Sequence, residues 1–155
     1  MTEPTSAPLF APRQVAWTEQ LSVGVDELDA QHQELYRRID AFLAALAEKR
    51  AAPELEPLVR YLRQYVREHF SDEQRLMEFC FYPGLGEHLA EHQRFEAEYD
   101  ALAGELARTG PTFGLAKRLV ALLTDWLDRH LATTDRAFGA FLARHLGRRS
   151  VKPSA

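Results

Sequence analysis

The sequence predicts an all-α protein, an antiparallel up-down-up-down four-helix bundle with an extended N-terminal lead. Apolar residues recur every three or four positions along four long stretches, as they do on the buried face of a helix. Short breaks containing glycine or proline separate these stretches, and no stretch alternates as a strand would. At 155 residues with 46% hydrophobic content, the chain is long enough for one domain with a buried core.

The first two helices follow an N-terminal region of different composition. Residues 1–14 carry three prolines among small polar residues, which is typical of a disordered tail. An extended lead is expected over residues 17–25, and Asp26 is expected to cap the first helix, predicted over about 28–48. A second helix is predicted over about 54–79, because its apolar residues keep the same spacing.

The second half of the chain has the same organisation. The Pro83-Gly84 pair predicts a turn, after which a third helix should run over about 85–108 until a Thr-Gly-Pro sequence ends it. The fourth helix is expected to begin near Thr112. Residues 147–155 form a basic segment that is expected to be mobile, so the predicted bundle domain spans 15–146.

Polar side chains occupy inward positions on all four predicted helices, and an up-down topology brings them to one end of the bundle. These residues are His32, His69, Glu73, His88, His92, His130 and Asp135. His69 and Glu73 are four residues apart and so share one helix face. His130 and Asp135 are five apart, about 140° around an ideal helix, which predicts a wide turn or a π-bulge between them.

A lone histidine on an apolar helix face is usually a hydrogen-bonded core residue. Five of them together with buried carboxylates favour a metal site, because an ionised carboxylate buried without a cation is heavily penalised. The single Cys80 excludes a cysteine-rich site, and imidazole with carboxylate suits iron, manganese or zinc. Two octahedral ions bridged by both carboxylates and an oxo or hydroxo group would leave one position open. Apolar surroundings favour a small neutral ligand there, such as dioxygen.

Composition also argues against several partners. A net charge of −4 and a pI near 5.9 give no basic surface for nucleic acid. The longest apolar run, Ala41–Ala47, is far short of the ~20 residues of a membrane helix, so no membrane insertion is expected. A cytoplasmic location is expected, because no signal pattern is visible and one cysteine agrees with a reducing compartment.

The span from Trp17 to about Leu142 resembles the bacterial hemerythrins. The matching motifs are Ala30-Gln31-His32, His69-Phe70 followed by Glu73 and Leu76-Met77, Tyr82-Pro83, His88 with His92, and Trp126-Leu127 followed by His130 and Asp135. The resemblance implies two iron ions per chain, bridged by Glu73 and Asp135. It places His88, His92 and His130 on a six-coordinate iron, and His32 and His69 on an oxygen-binding iron. His145 has no counterpart and is expected on the surface.

The resemblance implies reversible dioxygen binding for transport, storage or delivery, without catalytic residues. Two alternatives remain open: a diiron enzyme that reduces peroxide or nitric oxide, and a sensor of oxygen or iron that acts through a partner protein. Ferritin-like iron oxidation is a further possibility, but the Glu-x-x-His pairs of those bundles are absent from this sequence.

Overall fold

Residues 13–146 are described by the computed structural model, and within this range the structure is helical without strands. The first three helices are α1 (Asp26–Ala47), α2 (Ala52–Phe79) and α3 (Leu85–Thr109). The fourth helix of the bundle consists of three consecutive segments, which are α4 (Phe113–Asp125), a π-helical segment (Trp126–Asp135) and α5 (Arg136–Leu146). Consecutive helices pack together and α1 contacts α4, so the predicted four-helix bundle is confirmed.

The helix starts show where local sequence sets the structure. Thr112 caps α4 by accepting a hydrogen bond from the Leu115 amide at 3.1 Å, as its position before the apolar run predicts. The prediction that Asp26 caps α1 is wrong, because α1 begins at Asp26 and its N-cap residue is Val25. The Asp29 carboxylate instead accepts a hydrogen bond from the Val23 amide at 2.9 Å, which ties the lead to the first turn of α1.

The apolar core consists of two clusters, and the polar residues predicted for a metal site are buried along with them. The larger cluster extends along the bundle and includes Leu35, Leu62 and Leu123. The smaller one lies at the end where α2 stops and α3 starts, and it includes Met77 and Phe138. No helix of the described region combines the length and apolar character that crossing a membrane requires.

The extended lead is part of the core. Val15 and Val23 are buried, and the Val15 amide donates a hydrogen bond to Asp40 at 3.2 Å. Arg13 donates to the Asp128 carboxylate at 2.7 Å. The predicted tail 1–14 overlaps the described residues only at 13 and 14, and the rest of it, like residues 147–155, lies outside them. The domain boundaries therefore stay predictions.

Gly139 on α5 allows the lead to pack closely. A Cβ atom at this position would lie 2.8 Å from the Cα of Val23, a distance at which backbone must shift. We expect Gly139→Ala to lower the free energy of unfolding by about 1–3 kcal/mol, measured by urea denaturation. The control is Gly104→Ala on α3, where the new Cβ meets only the Arg108 side chain at 3.8 Å. That change should stabilise the protein by about 0.5–1 kcal/mol. Equal effects of the two changes would contradict the packing argument.

Candidate metal centre

The structure brings all seven residues of the predicted site into one buried cluster. Each of their side chains lies inside the bundle, with at most 3% of the residue exposed. The contributions by element are His32 from α1, His69 and Glu73 from α2, His88 and His92 from α3, and His130 and Asp135 from the π-helical segment. His145 is exposed, and its Nδ1 lies 2.9 Å from the Phe141 carbonyl oxygen, in its own helix.

All five imidazoles present the same ring nitrogen, Nε2, to the cluster. The Nε2 atom of His69 lies 3.0 Å from Glu73 Oε2, and that of His88 lies 2.9 Å from Glu73 Oε1. Asp135 is the second hub, at 3.3 Å from His32 Nε2 and 3.1 Å from His130 Nε2. Each carboxylate is therefore surrounded by histidine nitrogens from more than one helix.

The ligand atoms fall into two groups, in each of which they lie within 4.8 Å of one another. One group contains Glu73 with three histidines, His88, His92 and His130. The other contains Asp135 with His32 and His69. The groups share contacts, since His88 Nε2 also lies 3.2 Å from Asp135 Oδ1. This three-and-two division of the histidines matches the one that the resemblance implies.

The π-helical segment resolves the spacing of His130 and Asp135. In an α-helix two residues five apart point in clearly different directions, whereas the i→i+5 turn of a π-helix brings them nearly above each other. The structure has this conformation over Trp126–Asp135, which confirms the predicted distortion. The wide turn places both side chains inside the bundle, with His130 Nε2 3.1 Å from Asp135 Oδ1.

The polar atoms of the cluster fit a cation better than they fit one another. Both oxygens of Glu73, both oxygens of Asp135 and Nε2 of His88 are buried and make no hydrogen bond within the described part of the chain. Histidine nitrogens lie 2.9–3.2 Å from these oxygens, yet none of these contacts has the geometry of a hydrogen bond. Buried polar atoms are rarely left in this state. Converging imidazole and carboxylate donors are a ligand set suited to iron, manganese or zinc.

The electrostatics of the protein groups alone also indicate a site for cations. Burial lowers the pKa of His88, but the Asp135 and Glu73 carboxylates outweigh it and raise the pKa to about 10. Burial, together with His130 and His88, lowers the pKa of His92 to about 2. Neighbouring imidazoles thus compete for positive charge, and they cannot all be protonated at once. Bound metal ions would neutralise the carboxylates while every histidine stayed neutral.

Two groups outside the predicted set hold histidine rings in place. His69 donates its Nδ1–H to Gln31 Oε1 at 2.6 Å, and Gln31 in turn donates to Asp72 at 3.0 Å. His130 Nδ1 lies 2.6 Å from Glu91 Oε2, and Thr134 donates to the same carboxylate at 3.1 Å. Such partners fix the tautomer that leaves Nε2 free for a metal. Gln31 precedes the predicted ligand His32 in the Ala30-Gln31-His32 motif, but no sequence signal identified Glu91.

Aromatic rings cover three of the five imidazoles. Trp126 stacks on His130 and Phe70 stacks on His92, in both cases with ring centroids 3.8 Å apart. Tyr65 lies almost parallel to His69 at 4.7 Å. These contacts fix the ring planes and keep water from the cluster, which strengthens every electrostatic interaction inside it. Burial raises the pKa of the Tyr65 phenol well above its usual value.

Comparison with known proteins agrees with this geometry. The profile of the Hemerythrin HHE cation binding domain family matches residues 23–142, a range that contains all seven cluster residues. A myohemerythrin from Riftia pachyptila is 32% identical over 125 residues, covering 80% of this chain and 90% of that protein. A bacteriohemerythrin from Stenotrophomonas maltophilia is 28% identical over 138 residues, covering 85% of this chain and 84% of that protein. Myohemerythrin-1 from Phascolopsis gouldii is 27% identical over 128 residues, covering 83% and 94%. The chain therefore belongs to the hemerythrin family.

Proposed function

We propose that this chain is a non-haem diiron protein that binds dioxygen reversibly and serves to carry, store or deliver it. The observation that supports the proposal most directly is the buried cluster of five imidazoles and two carboxylates, divided three to two. A histidine-rich set supplies few anionic donors, which favours the ferrous state over irreversible oxidation. Relatives named bacteriohemerythrin and myohemerythrin add to this support.

Each residue of the cluster has a role in the proposal. His88, His92 and His130 would hold one iron, and His32 and His69 would hold the other. Glu73 and Asp135 would be shared by both ions, together with an oxo or hydroxo group. This assignment follows the three-and-two grouping of ligand atoms and the central position of the two carboxylates.

The iron pair, when bound, would supply the two electrons needed to bind dioxygen in reduced form. The protein supplies an apolar environment around the metal cluster. Leu35, one turn after His32, and Leu127 and Leu131, on either side of His130, are all fully buried in the large apolar cluster. These apolar side chains exclude water and charged solutes, so the site favours a small neutral ligand. No residue has a catalytic role in this function.

The ligand in this function is dioxygen, and neither nucleic acid nor a membrane takes part in it. The net charge of −4 supports the first exclusion, because nucleic-acid binding depends on a basic surface. We further propose that the protein works in the cytoplasm, since its single cysteine, Cys80, suits a reducing compartment.

The test is a visible spectrum of the anaerobically reduced, iron-loaded protein before and after addition of dioxygen, followed by flushing with argon and an iron assay. We expect a charge-transfer band that appears with dioxygen and disappears on flushing, at two irons per chain. Zinc-loaded protein is the control, because zinc has no accessible redox chemistry and should show no band.

Other outcomes point to the alternative functions. A band that forms and decays irreversibly, with catalytic consumption of peroxide or nitric oxide, would contradict the carrier function and indicate a diiron enzyme. Reversible binding coupled to capture of a specific partner protein would indicate a sensor. Rapid oxidation in air without any oxygenated species would reject reversible binding.

A further inference from the structure

Two buried polar atoms next to the metal cluster have no hydrogen-bond partner among residues 13–146. The hydroxyl of Tyr65 and the indole N–H of Trp126 make no hydrogen bond to any part of the chain that the structure describes. Tyr65 is 4% exposed and Trp126 is 6% exposed, so bulk water does not satisfy them. Buried donors left without a partner are uncommon, and a bound water, ion or ligand is one explanation for them.

The two side chains lie beside the metal cluster, so a molecule that binds them would also lie next to the cluster. Tyr65 lies over His69, in the two-histidine group, with the ring planes only 11° apart. Trp126 lies over His130, in the three-histidine group, at 8° between planes. Trp126, Asp135 and Glu73 all influence the pKa of the Tyr65 phenol, so the phenol lies near the indole and near both carboxylates. The phenol and the indole still form no hydrogen bond of acceptable geometry. They therefore lie together on one side of the cluster.

The leucines of the large core cluster offer no hydrogen-bonding group to a ligand. Leu35, Leu62 and Leu127 are fully buried members of the same cluster, and none carries a polar side-chain atom. A ligand that accepts a hydrogen bond on this side of the site therefore finds the phenol and the indole as its donors. A bound dioxygen that has taken up electron density becomes such an acceptor, and so does an anion such as azide.

We infer that Tyr65, assisted by Trp126, is a positioning residue that donates a hydrogen bond to a small ligand held at the metal pair and slows its release. This inference rests on the proposed function, because it assigns the residue that stabilises the bound dioxygen. It also extends to anions, since the donors recognise electron density on the ligand and not dioxygen as such.

Tyr99 provides a matched control. It is 2% exposed, but its hydroxyl donates to the Val59 carbonyl oxygen at 2.7 Å. Removing the Tyr99 hydroxyl breaks this internal hydrogen bond, which costs stability. Removing the Tyr65 hydroxyl breaks none within the described chain. The same chemical change at two buried phenols thus separates a structural role from a ligand-directed one.

The experiment compares Tyr65→Phe and Tyr99→Phe with the original protein by three measurements. These are urea denaturation of the metal-free protein, the dioxygen dissociation rate of the iron-loaded reduced protein, and the azide dissociation constant of the oxidised protein. For Tyr65→Phe we expect unchanged or increased stability, with dioxygen release faster and azide binding weaker by about tenfold each, the typical value of one hydrogen bond. For Tyr99→Phe we expect lower stability with both ligand constants unchanged.

The outcomes separate this inference from the proposed function. If the original protein does not bind dioxygen reversibly but Tyr65→Phe still weakens azide, the donor role stands and the carrier function fails. If Tyr65→Phe lowers stability as Tyr99→Phe does and leaves both ligand constants unchanged, Tyr65 holds a structural partner and the inference is overturned. The inference is also overturned if the iron-loaded protein binds neither dioxygen nor azide, because the phenol then has no ligand to which it could donate a hydrogen bond.

Discussion

Replacing Glu73 by alanine is expected to abolish binding of the proposed iron pair while the helical bundle still forms. Glu73 contacts histidines on two helices, with His69 Nε2 at 3.0 Å and His88 Nε2 at 2.9 Å. Loss of its carboxylate deprives both proposed iron sites of a ligand. Mutation of an outer partner alone typically weakens metal binding by 10–100-fold, so we expect a loss of more than about 100-fold for this ligand.

The measurements are iron per chain after reconstitution and the change in thermal midpoint on iron loading. The original protein should gain stability from iron, because a ligand bound only by the folded state stabilises it. The Glu73→Ala variant should show no such gain. The control is Glu68→Ala, an exposed glutamate five residues earlier on α2, which should keep both values. A Glu73→Ala protein with two irons and an unchanged visible spectrum would show that Glu73 is not a ligand.

The spacing of residues within each helix and the order of the helices were sufficient to predict the bundle and the position of the cluster. Helical spacing of apolar residues fixes which face of each helix is buried, and the up-down order then brings His32 and His130 to the same end. The five-residue spacing between His130 and Asp135 also indicated a wide turn. Its extent over ten residues was not predictable, because it depends on how the whole fourth helix packs against its neighbours.

Residues that hold other functional or structural groups in place were the hardest to predict. Glu91 is one of 23 acidic residues, and its side chain is 30% exposed, so its pattern is that of an ordinary surface glutamate. Only the three-dimensional structure shows it 2.6 Å from His130 Nδ1. Asp29 is similar, since its bond to the Val23 amide depends on the path of the lead and not on helix spacing. The cap predicted at Asp26 was wrong because α1 already begins at that residue and Val25 is its N-cap.

Replacing Glu91 by alanine is expected to weaken iron binding by about 10–100-fold, because Glu91 orients His130 and raises the basicity of its ring. The loss should be seen as faster iron release to a chelator. Glu91→Gln should restore part of the affinity, since the amide oxygen still accepts the hydrogen bond but carries no charge. Glu87→Ala is the control, because Glu87 is an exposed glutamate one turn earlier on α3.

Gln31 gives the comparison that identifies the effect of charge. It accepts the Nδ1–H of His69 at 2.6 Å with an amide oxygen, whereas Glu91 performs the same role for His130 with a carboxylate. A carboxylate partner makes its histidine the stronger donor, and this favours the ferric state of the metal it binds. Gln31→Glu should therefore lower the reduction potential of the centre, and Glu91→Gln should raise it. If both variants shift the potential in the same direction, the two outer partners do not act through ligand basicity. If neither variant changes iron release or potential, the hydrogen bonds to His69 and His130 are structural contacts only.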